Sequence, residues 1–534
     1  MNFTDPAFLF AALPLGLMVF YWLARRYGKN AAFGAMFALS LLAYSSWGAR
    51  NMALLLASIT VNFLVGRLLI AVPDQRRRLR RTALCLGQAY NFSTLIWFKY
   101  QVVQLLLQRA MGAETPTPMQ LALPVGISFY TFQQAAFLMD AFHRDPAVAA
   151  HIGGSSTWRA RVGAMIRYGA FATFFPQLVI GPITYLKEFQ RQTSSDRFGR
   201  LRQQDIVAGL ALLGIGLFKK LVIADSLGTI TDPIFAIAAQ GAGIHAATAW
   251  IGILSFYAQL YFDFSGYSDM ALGIGRLFGI RFPVNFYSPL KAVGIIDYYR
   301  RWHMTLTRVI SRFLYTPLSM MGTRWAIANR LPKGLLRLLG LWIPLLINFE
   351  VIALWHGAAS TFIVFGLIHG TWYVLETECR ATNWWKSWRW RTPDWLRTAL
   401  GRLILFVPMC LTFALFRSES LEAAARLYAQ LFSFDFGLAR PATDLRESIV
   451  LARDGSFVVL KLIGAFAVIH LLPNSMELMR RWRPGIMTYQ NKSYGGIFRL
   501  QWRPTWAWAC FWLFLVATSL YFVSRQTPFI YMEF

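Results

Sequence analysis

Apolar stretches of about 20 residues recur along this 534-residue chain, and each is long enough to cross the hydrocarbon core of a bilayer as a helix. Apolar residues make up 56% of the sequence and charged residues only 15%, which is not the composition of a soluble protein. We therefore predict an all-α polytopic membrane protein with about 11 to 13 transmembrane helices. Stretches broken by Gly and Pro, notably 174–182, predict re-entrant helices that line an interior cavity.

The formal net charge of +28 does not indicate a nucleic-acid partner, because the basic residues form short clusters between apolar stretches. Basic clusters of this kind mark cytoplasmic loops. The clusters at 25–29 and 76–81 follow the first and third stretches, and the cluster at 480–503 precedes the last one. This pattern predicts that the N-terminus and the C-terminus both lie outside the cytoplasm.

The four cysteines lie in or beside apolar stretches, without a CxxC pair and without a histidine at ligand spacing. The sequence therefore predicts neither a metal site nor a disulfide framework. We find no soluble domain in the sequence, and we interpret residues 1–527 as one integral-membrane domain, followed by an aromatic C-terminal tail at 528–534.

Polar residues are unusually dense for a membrane protein between positions 254 and 322. One interpretation is that Asp263 and Asp269 hydrogen-bond to backbone in a kinked stretch, and that Arg300 and Arg301 are interfacial side chains. The other is that these residues line a polar tunnel, where the two arginines bind an anionic donor. The sequence alone leaves both interpretations open.

Two histidines, His303 and His356, lie within apolar surroundings, where an ionisable side chain indicates a functional site. A buried neutral imidazole bonded to backbone is the simpler alternative. For His356 the flanking Trp355 provides a rigid wall, and Gly357 lets a substrate or another helix approach the ring. A histidine in such a place is suited to acid–base catalysis of acyl transfer near neutral pH. We expect His369, in a similar sequence context, to be structural.

The chain resembles the membrane-bound O-acyltransferase (MBOAT) family, in its bacterial alginate O-acetyltransferase branch. The most specific motifs are the segment from Tyr261 to Met270, the Arg-Arg-Trp-His motif ending at His303, and the Trp-His-Gly motif around His356. The matching stretches follow the family order: 123–132 with Asp140, 175–182, 218–220 with 224–225, 261–270, 285–286, 300–307 and 354–358.

The resemblance implies a ring of tilted helices around a central tunnel, with a catalytic core at about 121–376. It implies that His356 is the catalytic histidine and that His303 is a second residue of the same site. We expect other residues near these motifs to bind substrate: Arg300, Arg301, Trp302, Trp355, Asp263, Asp269, Asn285, Lys219 and Lys220. No bound cofactor is expected, and the donor substrate would be acetyl-CoA or another acyl thioester.

The tail contains Tyr531 in a Phe-x-Tyr-x-x-Phe pattern at 529–534. As bare sequence the tail is an aromatic anchor at the membrane interface. It also resembles the tail of exporter members of the family, in which a C-terminal tyrosine is proposed to accept the acyl group. On that interpretation Tyr531 is a third catalytic residue, with His356 as its base.

Together these features predict a transferase of the bacterial inner membrane. It would move an acetyl group from a cytoplasmic thioester across the bilayer to a polysaccharide acceptor such as alginate or cellulose. A periplasmic SGNH-type or related acetyltransferase would be its partner. Three alternatives remain open: a transporter or export subunit with a buried proton relay, a transferase that uses a D-alanyl carrier protein, and peptidoglycan as the acceptor.

Overall fold

The computed structural model describes residues 3–111, 123–153, 157–241, 243–433, 435, 457–487, 498 and 500–530. Over these residues the chain is built from α-helices with short 3-10 and π segments. Outside the helices, Pro283 and Ile486 form an isolated parallel β-bridge. The prediction of an all-α polytopic membrane protein is confirmed.

Six helices in the described residues are long and apolar enough to cross a membrane: Phe8–Tyr27, Ala49–Ala71, Gln203–Ala239, Lys333–His356, Asp394–Arg417 and Trp506–Arg525. Other apolar helices, such as the 16-residue Ile127–Phe142, are shorter than the roughly 20 residues that a straight crossing needs. The number of 11 to 13 spans therefore stays a prediction, as does the single-domain boundary at residue 527.

The described chain divides into two compact units, of which the first comprises Met1–Gly214, Tyr267–Val284 and Trp482–Met487. Its core is rich in phenylalanine, with Phe171, Phe174 and Phe189 almost fully buried. Its helices are Leu13–Tyr27 with the π segment Phe8–Ala12, Lys29–Ser45, Ala49–Ala71, Arg77–Lys99 after the 3-10 turn Asp74–Arg76, Gln101–Ala110, Ile127–Phe142, Pro146–Ile152, Trp158–Thr173, Phe175–Leu178, Leu186–Thr193, Gln203–Leu217 as far as Gly214, and Ala246–Leu277 from Tyr267 onwards.

The broken apolar stretch at 174–182 is irregular, as its sequence predicts. The helix Trp158–Thr173 is followed by Phe174, whose dihedrals of φ −49° and ψ 108° are not helical, and then by a single turn, Phe175–Leu178, with Pro176 near its start. A side chain at Gly181 would lie 2.2 Å from the Cα of Gln177, so only glycine fits this turn.

The second unit comprises Ile215–Gly266, Asn285–Arg481 and Thr488–Phe534. Its helical segments are Phe218–Ala224 (π), Asp225–Ala239, Ala246–Leu277 as far as Gly266, Pro289–Lys291 (3-10), Ile295–Tyr299, Met304–Ile310, Ser311–Tyr315 (π), Thr316–Ala328, Lys333–Arg337, Leu338–Trp342 (π), Ile343–His356, Ser360–Ala381, Asn383–Arg391, Asp394–Arg417, Leu421–Leu431, Phe457–Leu471, Ser475–Leu478, Arg480–Trp482 (3-10), Trp506–Phe522 and Val523–Arg525 (3-10).

The polar stretch that includes Asp263 lies in one continuous 32-residue helix, Ala246–Leu277. Gly266 marks a close approach of this helix to its neighbour, because a Cβ there would lie 2.9 Å from the Gly216 carbonyl oxygen. The glycine lets the helix pass directly against the π segment Phe218–Ala224. Contacts at this crossing hold the polar side chains without breaking the helix.

Candidate active site

His303 is positioned by a loop whose two ends hydrogen-bond to each other. Tyr287 donates its N–H to the Arg301 carbonyl at 3.0 Å, and Met304 donates to the Asn285 carbonyl at 3.0 Å. His303 precedes the helix Met304–Ile310 with a positive φ of 44°, which few side chains other than glycine adopt. Strained backbone of this kind is frequent at functional sites and needs surrounding contacts to hold it.

The side chain of Asn285 fixes the orientation of the His303 ring. Its Oδ1 lies 3.1 Å from His303 Nδ1 and also accepts hydrogen bonds from the Thr305 N–H at 3.3 Å and from the Thr305 hydroxyl at 3.0 Å. Because this oxygen can only accept, Nδ1 carries the proton. A neutral imidazole in this tautomer has its basic lone pair on Nε2.

The two arginines before His303 have different surroundings. Arg301 is buried, donates from Nε to Asp297 Oδ1 at 2.8 Å, and donates from a terminal nitrogen to the Tyr287 carbonyl at 3.2 Å. These bonds give Arg301 a structural part in the loop. Arg300 is exposed at the end of the helix Ile295–Tyr299. The predicted donor-binding roles of both arginines stay predictions.

His356 is the last residue of the helix Ile343–His356, and aromatic rings surround it. The centroids of the Trp355 and Phe416 rings lie 4.9 and 5.1 Å from the centroid of the His356 ring. A Cβ at Gly357 would lie 2.4 Å from the ring of Phe362. The glycine therefore lets Phe362 of the next helix approach, which is one of the two roles that its sequence context predicts.

His303 and His356 line the same cavity of about 30 Å³ in the second unit. Tyr299 and Thr307 add polar groups to its wall, which is otherwise mostly aromatic and aliphatic. The ring of Phe264 packs edge-on against His303 at 4.8 Å, and the Trp355 ring lies 5.9 Å from it. The fold thus brings together two histidines that are 53 positions apart in the sequence.

A third histidine, His369, supports this wall. Tyr299 Oη lies 2.7 Å from His369 Nδ1, and the His369 ring stacks on Phe365 with a centroid distance of 4.0 Å. The side chain of His369 is fully buried. These contacts agree with a structural role, although the hydrogen bond places His369 directly behind a residue of the cavity, which its sequence context does not reveal.

Lys220 and Asp263, both predicted to bind substrate, meet in a buried ion-pair cluster. Lys220 Nζ lies 2.7 Å from Asp263 Oδ1 and 2.7 Å from Asp225 Oδ1. Thr527, just before the C-terminal tail, donates its hydroxyl to Asp225 at 2.8 Å. No sequence pattern indicates that Thr527 belongs here, and Asp225 is identified only as part of a family motif.

The remaining predicted residues are Lys219, Trp302, Asp269 and Tyr531. Lys219 donates to the Ser475 hydroxyl at 3.3 Å, and Trp302 stacks on Tyr298 with a centroid distance of 5.6 Å while lining the cavity. Asp269 is buried in the first unit. Tyr531 lies outside the described residues. The roles of all four residues stay predictions.

Several known proteins are similar in sequence to the part of the chain that contains this cavity. The model of the membrane-bound O-acyltransferase family matches residues 159–416, which include both histidines. The chain is 34% identical to a peptidoglycan O-acetyltransferase of Helicobacter pylori, over 80% of this chain and 78% of the relative. It is 30% identical to a probable alginate O-acetylase AlgI of Azotobacter vinelandii, over 81% and 78%, and 25% identical to a teichoic acid D-alanyltransferase of Bacillus subtilis, over 57% and 70%.

Proposed function

Because the chain belongs to the membrane-bound O-acyltransferase family, we propose that it transfers acetyl groups from a cytoplasmic thioester across the inner membrane for O-acetylation of an exopolysaccharide. That it is a multi-pass membrane O-acyltransferase follows from the family itself. Four elements of this function are proposals: the donor, the acceptor, the partner and the orientation of the termini. The relatives act on different polymers, according to their names, so alginate and peptidoglycan are both candidate acceptors. Cellulose is a further candidate that rests on the sequence resemblance alone.

The observation that carries the proposal is the cavity shared by His303 and His356. An acyl transfer needs one group to accept the proton of the attacking hydroxyl and another to stabilise the charge that develops on the carbonyl. Two imidazoles on one small, mostly apolar cavity meet this need without a metal or a cofactor. The Asn285 bond, which leaves the lone pair of His303 on Nε2, supports a defined role for that ring.

The proposed reaction starts from an acetyl thioester, with acetyl-CoA as the donor. His356 accepts the proton of the acceptor hydroxyl while the hydroxyl oxygen forms a bond to the thioester carbonyl carbon. His303 orients the reactants and stabilises the developing oxyanion. The carbon–sulfur bond then breaks, the thiolate leaves, and the proton on His356 passes to the sulfur. The products are an acetyl ester and a free thiol.

Tyr531 is the proposed first acceptor. An acetyl-tyrosine near the C-terminus would be handed to a periplasmic SGNH-type or related transferase, which completes the transfer to the polysaccharide. The basic clusters that flank the first and last spans support this assignment, because they predict that the C-terminus emerges outside the cytoplasm. The bilayer and the polysaccharide are then the other two partners of the chain.

The proposal is tested by release of free thiol from acetyl-CoA by the purified protein in lipid nanodiscs. We expect thiol release by the wild type and a loss of about 100-fold or more in His356→Ala and His303→Ala. His470→Ala is the matched control, because His470 is half-buried on the helix Phe457–Leu471 and stacks only on Phe466 among the described ring contacts. Equal rates in the wild type and His356→Ala would contradict the proposal.

The similarity to a teichoic acid D-alanyltransferase makes a D-alanyl thioester a second candidate donor. The same assay with a D-alanyl carrier protein thioester separates the two donors. Thiol release from this thioester alone would replace the acetyl donor in the proposal and leave the roles of the histidines unchanged.

A further inference from the structure

The chain just before the C-terminus is held by the buried cluster of Lys220, Asp225 and Asp263. Phe529 and Ile530 are almost fully buried, although they follow a helix, Trp506–Phe522, whose surface is largely exposed. The Ile530 N–H donates to Asp263 Oδ2 at 3.1 Å. The last described residues therefore have specific contacts rather than a loose position at the membrane interface.

The charges of the cluster show why the tail completes it. One ammonium faces two carboxylates, so the three side chains alone carry a formal excess of one negative charge. Three donors of the segment Thr527–Ile530 point at those carboxylates: the Thr527 hydroxyl at 2.8 Å, the Thr527 N–H at 3.4 Å and the Ile530 N–H at 3.1 Å. A buried carboxylate without such donors is costly, so these hydrogen bonds stabilise both the cluster and the tail.

Lys220 also contacts the tail directly. Its Nζ lies 3.2 Å from the Pro528 carbonyl oxygen, 3.4 Å from the Thr527 hydroxyl and 4.6 Å from the centroid of the Phe529 ring. Its side chain is only 1% exposed. The buried ammonium group of Lys220 thus binds two carboxylates and a carbonyl oxygen, and it also lies over an aromatic ring. Its contacts join the tail to both aspartates.

A π segment of the helix creates this arrangement. Residues five apart on an α-helix point about 140° away from each other, but an i→i+5 hydrogen bond places them on the same side. The Asp225 N–H donates to the Lys220 carbonyl at the end of the π segment Phe218–Ala224. The Lys220 and Asp225 side chains can therefore pair with each other while both face the tail.

We propose that Lys220, Asp225 and Asp263 form a docking site for the segment Thr527–Ile530, and that this docking is required for acetylation of Tyr531. Asp263 binds the N–H of Ile530, the residue before Tyr531. Its neighbour Phe264 packs on His303 at 4.8 Å, and Leu260 of the same helix lines the histidine cavity. The docking rests on the described contacts, and only its purpose as an acyl relay rests on the proposed function.

The docking is tested by cysteine labelling of the full-length protein in nanodiscs. The four native cysteines are replaced by serine or alanine, Ile530→Cys is introduced, and the rate of reaction with a water-soluble maleimide is measured. We expect slow labelling in this parent and labelling about tenfold faster after Lys220→Met or Thr527→Val, because each change removes bonds that close the site. Thr527→Ser keeps the hydroxyl, so it should label as slowly as the parent.

Asp205→Asn is the matched control for general destabilisation. Asp205 forms a similarly buried ion pair with Arg276 at 2.8 Å in the first unit. We expect no faster labelling at position 530 in this variant. Rapid labelling of the parent, or equal rates in the parent, Lys220→Met and Thr527→Val, would overturn the docking site. An equal acceleration in Asp205→Asn would show that destabilisation alone exposes the tail, which also overturns it.

The relay is judged separately by acetylation of Tyr531 in the same variants. Slow labelling at position 530 together with an unacetylated Tyr531 would support the docking site and refute the relay. If the relay is correct, Thr527→Val should lower acetylation of Tyr531 about tenfold, and Thr527→Ser should restore it.

Discussion

Replacing Asn285 by leucine removes one oxygen that three donors share. Oδ1 accepts hydrogen bonds from His303 Nδ1, from the Thr305 N–H and from the Thr305 hydroxyl, at 3.1, 3.3 and 3.0 Å. Asn285 is fully buried, so water does not replace these bonds. At about 1 kcal/mol for each bond, Asn285→Leu should lower the free energy of unfolding by about 3 kcal/mol.

The same change should affect catalysis beyond its effect on stability. Without Oδ1, the His303 ring loses the bond that sets its tautomer and orientation. We expect the rate constant of acetyl transfer in a single turnover, taken here as kcat, to fall about 100-fold when rates are compared per folded molecule. The assay combines denaturant unfolding in mixed micelles with thiol release from saturating acetyl-CoA, after size-exclusion chromatography of each variant. Asn285→Asp keeps an acceptor at this position and should retain most of the rate.

Asn62→Leu separates the two effects. Asn62 and Asn91 form a reciprocal buried amide pair in the first unit, in which each Nδ2 lies 2.8 Å from the Oδ1 of the other residue. Its replacement should cost a similar stability and leave kcat per folded molecule unchanged. The reasoning is refuted if Asn285→Leu keeps the wild-type kcat, or if Asn62→Leu lowers kcat to the same extent.

Three further changes test other parts of the site. Arg301→Met breaks the buried ion pair of the loop and should lower the free energy of unfolding by about 3 kcal/mol, as measured by denaturant titration. An unchanged free energy of unfolding would contradict the structural role of Arg301. Gly357→Ala places a methyl group 2.4 Å from the Phe362 ring and should lower the Tm, which adding Phe362→Leu should restore; an unchanged Tm would contradict the close approach. Tyr299→Phe removes only the hydrogen bond to His369 and should lower the free energy of unfolding by about 1 kcal/mol. The rate of thiol release should change less than about tenfold. A larger loss of rate would indicate that Tyr299 and His369 take part in catalysis.

The fold class was predictable because it depends on local hydropathy, which each apolar stretch displays independently. The break at 174–182 was predictable for the same local reason. The helix Ala246–Leu277 was not, because its polar residues indicate an interruption unless their partners are known. Asp263 is satisfied by Lys220, 43 positions earlier in the sequence, and no local pattern shows this pairing.

The candidate site was predictable only in part. The motifs around His303 and His356 indicated function, but their common cavity depends on packing between distant helices. Arg301 pairs with Asp297 at i−4, a spacing that is visible in the sequence. The bond from Thr527 to Asp225 joins residues 302 positions apart, which is beyond any inference from spacing.

The most direct test of the account is covalent labelling of the protein with radiolabelled acetyl-CoA, followed by mapping of the label in the wild type, His356→Ala and Tyr531→Phe. Label on the C-terminal peptide of the wild type, lost in both variants, is the predicted result. Label that persists in His356→Ala would contradict the central claim that His356 activates the acceptor hydroxyl.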